Sequence, residues 1–217
     1  MCTLSIITKY VELTKGFNWV LHNNTSNKLP YHNLNHLLTV LKNVDSAYGY
    51  YKNTNLSLTE KDYKELLLAA LFHDVNHTGG KDTDDINVGL AIKSLREFWF
   101  NFIDEEVDTD IDINEVCSII STTEYPYTLG SNELTQKQKI LRDADLLQSL
   151  EPNWIQQVIM GLCQEMNIPI EDMIKGQRDF LSSIEFNTTW GMFHKNNNWD
   201  GVMDKLNRLE TIYKIQL

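Results

Sequence analysis

The sequence predicts an all-α protein, a single domain of about eight to ten helices over residues 1–217. Three observations carry that prediction. Apolar residues recur at the three-and-four spacing of a helix in one segment after another, with no period-two alternation over a useful length. Helix breakers are scarce, with 10 Gly and 4 Pro in 217 residues. At 42% hydrophobic and 23% charged, the chain is long enough for one sizeable core and short for two. No internal repeat or low-complexity linker divides it.

Residues 4–13 read as a first helix ended by Gly16, and residues 22–30, rich in turn formers, as a loop closed by Pro30. A second helix is expected over about residues 31–47, with Leu34, Leu37, Leu38, Val40, Leu41 and Val44 as its apolar stripe. Residues 48–56 read as a loop. Thr59-Glu60-Lys61-Asp62 resembles a capping box and starts a central helix. That helix carries seven unbroken apolar residues, Leu66-Leu67-Leu68-Ala69-Ala70-Leu71-Phe72, which predicts burial on most sides. It runs directly into His73-Asp74-Val75-Asn76-His77. Charged and imidazole groups are costly to bury at such a place without partners, and a metal ion would supply one. Asp82-Thr83-Asp84-Asp85 can cap a helix over about 85–102, and residues 104–115 are strongly acidic. Helices are then expected at 114–121, 134–150, 154–166, 172–184 and about 199–215.

Composition excludes several classes. No window approaches 18 uninterrupted apolar residues, so no membrane span is expected. The N-terminus lacks the basic, apolar, small-residue order of a signal peptide. Cys2, Cys117 and Cys163 are odd in number and without a Cys-x-x-Cys pair, which fits free thiols in a reducing cytoplasm. A net charge of −11 and a pI near 4.9 argue against binding long nucleic acid. A small phosphorylated ligand stays compatible if bound metals make its site locally positive. Oligomeric state leaves no trace in the sequence.

Four of the six histidines form two pairs spaced by four, His32/His36 and His73/His77. Residues four apart share one helix face, so each pair is expected to converge on one point. A third segment, Ile140-Leu141-Arg142-Asp143-Ala144-Asp145-Leu146, sets two carboxylates in an otherwise apolar helix. The order of histidine, adjacent His-Asp and distant Asp resembles the HD superfamily of metal-dependent phosphohydrolases. The spellings Tyr31-His32-Asn33-Leu34-Asn35-His36 and His73-Asp74-Val75-Asn76-His77-Thr78-Gly79 are similar to the catalytic domains of 3′,5′-cyclic nucleotide phosphodiesterases, over about residues 31–180.

The resemblance implies one HD-type helical domain and an enzyme that opens a 3′,5′-cyclic nucleotide to the 5′-monophosphate, using a hydroxide held between two divalent metals. His36, His73, Asp74 and Asp145 would hold the first metal (zinc, manganese, iron or cobalt), with Asp74 bridging to a second (magnesium or manganese). His32 would be the general acid, and His77 would orient the hydroxide or the phosphate. Tyr31, and a Gln-x-x-Phe formed by Gln177 and Phe180, would line the base pocket. A helical-wheel count sets Asp143 nearer the apolar face than Asp145. Ala144-Asp145-Leu146, however, matches the family's spelling of the last ligand, leaving Asp143 as a cap or outer partner. The chain departs from the phosphodiesterases after Gly79, where Lys81-Asp82-Thr83-Asp84-Asp85 stands, and after Leu146, where Leu147-Gln148-Ser149 stands. Alternative readings are an HD-type hydrolase of deoxynucleoside mono- or triphosphates and a non-catalytic nucleotide-binding module.

Two other motifs fail. The His-Asp-x-x-His at 73–77 places its acid one methylene short of a zinc peptidase's base. The loop Asp108-x-Asp110-x-Asp112 lacks the glycine and glutamate of a calcium-binding hand, having Ile113 and Ile119 there. Phe98, Trp99, Phe100 and Phe102, without interleaved basic residues, are expected in the core or at a partner surface, and Trp190, Phe193 and Trp199 are candidates for the core.

Overall fold

The computed structural model describes residues 3–52, 54, 56, 58–103, 107 and 109–215. Among these residues the ordered elements are helices and no strand occurs. They are α1 (Thr3–Ile7), α2 (Val11–Asn23), α3 (Leu34–Tyr51), α4 (Glu60–Phe72), α5 (Asp84–Phe102), α6 (Ile113–Ser121), α7 (Gln136–Leu146), α8 (Gly161–Met166), α9 (Ile170–Ser183) and α10 (Thr189–Ile212). Cys2, Asn55 and Asp108 lie outside the described residues.

α4 is the axis. Its capping box is present: Asp62 N–H donates to Thr59 at 3.1 Å, and Thr59 N–H donates to the Asp62 carboxylate at 3.0 Å. From Leu66 to Phe72 no side chain is more than 1% exposed. At about 1.5–3 kcal/mol for each large apolar side chain withdrawn from water, this run is a principal source of stability. It is enclosed by α2, α3, α6 and α7, while α10 covers α9 and the turn after α7. One continuous apolar cluster joins them all, so the chain forms a single all-α domain.

The structure departs from the expected boundaries for physical reasons. Gly16 does not end a helix but sits inside α2, where an added Cβ would lie 3.2 Å from the Phe72 ring; the glycine lets α2 approach α4. α3 begins at Leu34 rather than 31, because Asn33 caps it, accepting the Asn35 N–H at 2.8 Å. It runs on to Tyr51, into the expected loop. The segment 134–150 divides into α7 and a 3-10 turn, Leu147–Leu150. A π turn, Ile155–Met160, precedes α8. The last helix starts at Thr189, ten residues before position 199, because Thr188 caps it. Phe98 and Trp190 are core, whereas Phe100, Phe102 and Phe193 are exposed. In the acidic stretch Asp110 pairs with Lys64 at 2.9 Å and Asp112 caps α6. Cys117 and Cys163 are free thiols. No helix among the described residues is long and apolar enough to cross a membrane.

Candidate metal centre and its cavity

Three helix ends meet below one cavity. His36 lies in the first turn of α3, His73 and Asp74 directly follow α4, and Asp145 is in the last turn of α7. Asn43 ties α3 to α7 by donating to the Ala144 carbonyl at 2.9 Å, next to Asp145. One donor atom from each of His36, His73, Asp74 and Asp145 lies within 4.8 Å of the others, so the group could hold a metal ion. The two imidazole Nε2 atoms are 3.1 Å apart. His36 Nε2 lies 2.9 Å from Asp74 Oδ2 and 3.2 Å from Asp145 Oδ1; for His73 Nε2 the same distances are 3.2 and 3.7 Å. Donors about 2.1 Å from one ion lie roughly 3.0–3.4 Å apart, and four of these five distances lie at or near that range.

The ring orientations make the same case. His36 Nδ1–H donates to Gln148 Oε1 at 2.5 Å, and the Gln148 amide is oriented in turn by its donation to Gln157 at 2.6 Å. His73 Nδ1–H donates to the Ala70 carbonyl at 2.9 Å. With both Nδ1 atoms occupied as donors, the two Nε2 atoms face each other and two carboxylates, an arrangement that a bound metal ion or a proton on the rings would satisfy. Without a metal ion the two carboxylates favour the protonated rings. Burial opposes charging His36, but Asp145 and Asp74 outweigh it and raise the ring to about 9. His73, equally opposed by burial, is raised well above its ordinary value by Asp74 and Asp145. Burial works against ionising Asp74 and Asp145, yet the two imidazoles hold both below the carboxylate range.

His32 and His77 do not join this cluster, contrary to the helical pairing. His32 precedes the Asn33 cap and so lies outside α3. α4 stops at Phe72, and Asn76 takes a left-handed φ of 63°. That turn is held by Asn76 N–H donating to Asn24 at 2.8 Å, and by its side chain accepting from Thr25 and donating to Ser94. The chain therefore swings His77 away from His73 and onto His32, where the rings stack at 3.6 Å. His32 Nδ1 bonds a Glu165 carboxylate oxygen, and the other oxygen accepts the Tyr31 and His32 N–H groups at 2.9 and 3.0 Å. His77 Nδ1 accepts the Gly79 N–H at 3.0 Å, which leaves Nε2 to carry the proton, 4.0 Å from Asp84 Oδ1. Burial first, and the nearby His32 second, lower His77 to about 4.

Asp143 is elsewhere. Wholly buried, it braces the Thr188 cap of α10, accepting from the backbone N–H of Asn187 and of Thr188 at 2.8 Å each and from the Thr188 hydroxyl at 2.6 Å. Burial pushes it up to about 6 against those bonds.

The cavity above the cluster has a volume of about 480 Å³. His32, Asp74, His77, Asp84 and Asp145 face into one part of it, with Tyr31, Tyr125, Tyr127, Val158, Leu162 and Phe180 as its apolar wall. Gln177, also in the lining, is 4% exposed and its Nε2 has no partner. Every site residue singled out in the sequence is thus at or directly beneath this cavity, with His36 and His73 below it. Glu165, Gln148 and Asp84 were not assigned a role there. Glu165 lies in an ordinary-looking helix far along the chain, and no local spacing marks it. Neither protein-family models nor curated proteins give any match to this chain.

Proposed function

We propose that the protein is an HD-type, metal-dependent phosphohydrolase that opens a 3′,5′-cyclic nucleotide to its 5′-monophosphate. The observation that carries this reading is the pair of imidazole Nε2 atoms, 3.1 Å apart beside two carboxylates, at the floor of a nucleotide-sized cavity. A mixed nitrogen and oxygen shell from His36, His73, Asp74 and Asp145 would suit zinc, manganese, iron or cobalt, and Asp74 would also help to hold a second ion, magnesium or manganese. Divalent cations there would draw charge from a phosphate oxygen and acidify a water.

The chain's own groups supply the rest. His32 is the general acid: Glu165 holds Nδ1, so Nε2 is the atom that hands its proton to the departing ribose oxygen. His77, with its proton fixed on Nε2 by the Gly79 bond, donates to a phosphate oxygen rather than taking a proton. Tyr31 and Phe180 offer faces to the base, and the Gln177 amide offers its unpaired N–H. The free thiols Cys117 and Cys163 suit a reducing cytoplasm.

The test is to incubate purified protein, with manganese or magnesium, with cAMP, cGMP and a panel of deoxynucleotides and to identify the products. Release of 5′-monophosphate from a cyclic nucleotide is expected. Attack on deoxynucleotides alone would replace the substrate with a phosphomonoester or triphosphate. Binding without turnover would replace the enzyme with a binding module.

A further inference from the structure

Among the described residues, no lysine or arginine lines the cavity. Its wall instead carries four carboxylates: Asp74 and Asp145, which belong to the metal-type cluster, and Asp82 and Asp84, which do not. Lys81 is exposed beside Asp82 but does not line the cavity. Arg142, behind the wall, gives its guanidinium to the Thr122 carbonyl and, at 2.9 Å, to the Leu129 carbonyl, with its charge over the Tyr127 ring at 4.2 Å. Asp84 is anchored by the Tyr125 N–H at 2.6 Å, which leaves its Oδ1 towards His77. Asp82 is exposed at the rim and caps nothing. The Gln177 Nε2, buried and unpaired, marks the cavity as built for a ligand with a hydrogen-bond acceptor.

We propose that Asp82 is a specificity-determining residue which, with Asp84 and with no lysine or arginine among the described residues of the wall, makes the cavity reject nucleotides carrying more than one phosphate. The proposal rests on the phosphohydrolase reading and narrows its substrate. Two divalent ions would bring four positive charges and Asp74 and Asp145 would remove two, so about one phosphate dianion would be matched there. A second phosphate finds no lysine or arginine in the wall and must face Asp82 and Asp84. Like-charge juxtaposition of this kind selects against ligands rather than for them.

The probes are AMP and adenosine 3′,5′-bisphosphate, whose separated phosphates do not wrap free metal as a triphosphate does. Their affinities for manganese-loaded protein are measured by calorimetry on the unaltered chain and on Asp82→Asn and Asp82→Lys. The bisphosphate is expected to bind more weakly than AMP to the unaltered chain. Asp82→Lys should move the ratio towards the bisphosphate by roughly three- to tenfold, the size of a partly screened charge reversal, and Asp82→Asn by less. Equal or tighter binding of the bisphosphate by the unaltered chain, an unmoved ratio in Asp82→Lys, or no binding of either probe overturns the proposal. Hydrolysis of bis(p-nitrophenyl) phosphate by the same samples judges the phosphohydrolase reading separately, because that ester carries one negative charge.

Discussion

Two clusters lie side by side in this molecule, each with two histidines and at least one carboxylate, and they differ in what occupies Nδ1. In His36 and His73 it donates to uncharged oxygens of Gln148 and Ala70, which leaves the Nε2 atoms facing each other and two carboxylates. In His32 it meets the Glu165 carboxylate, and in His77 it accepts a backbone N–H. Both groups, His36, His73, Asp74 and Asp145 on one side and His32, His77 and Glu165 on the other, have donors close enough to hold a metal ion. In the proposed reading the first holds the cation and the second presents protons, a division set by the partner of the far ring nitrogen.

The largest expected difference comes from cutting each cluster in turn. Asp74→Ala should lose both metal and all measurable hydrolysis, whereas His32→Ala should keep its metal and lose about 10²- to 10⁴-fold in rate. Metal content by mass spectrometry beside turnover decides it, and equal metal loss in both variants would erase the distinction between the clusters. Glu165→Gln removes the charge and one of two accepting oxygens, so it can keep the His32 ring bond only by giving up the backbone N–H groups of Tyr31 and His32. It should lower kcat by about tenfold or more without changing metal content, in line with a group that acts through the acid. Gln148→Leu removes the acceptor that orients His36 and should weaken metal binding by about 10- to 100-fold, measured by competition with a chelator. A comparable loss of affinity in Glu165→Gln would show that the clusters are not separable.

The smallest effect is one of stability. His77 is lowered from 6.5 to about 4 by burial and by His32, so the unfolded chain takes up a proton that the folded chain refuses. Its contribution is fully present above pH 6.5 and fades as pH falls towards about 4. Thermal unfolding of His77→Asn should therefore decline less steeply over that window than the unaltered chain; parallel curves would remove His77 from the account.

Much of this was legible in the residues. Leu66 to Phe72 could only be a buried helix, the Thr59–Asp62 cap set where it began, and the His-Asp that follows had to find a counterpart once buried. The four cluster donors were named by motif order. Their pairing was not. Spacing by four suggested His32 with His36 and His73 with His77; the structure joins His36 to His73 and stacks His32 on His77. The cause is two asparagines, Asn33 ending the loop as a helix cap and Asn76 breaking the chain into a left-handed turn.

Local chemistry, then, determined an all-helical fold, its axis and the donor types of its centre, because helical periodicity and the cost of burying charge act on neighbours in sequence. Which histidine meets which, that Glu165 reaches His32 from α8, and that Asp143 braces the cap of a distant helix while Asp145 faces the cavity were decided only by packing. Those contacts join residues far apart in the chain, and only the whole core in place holds them at bonding distance.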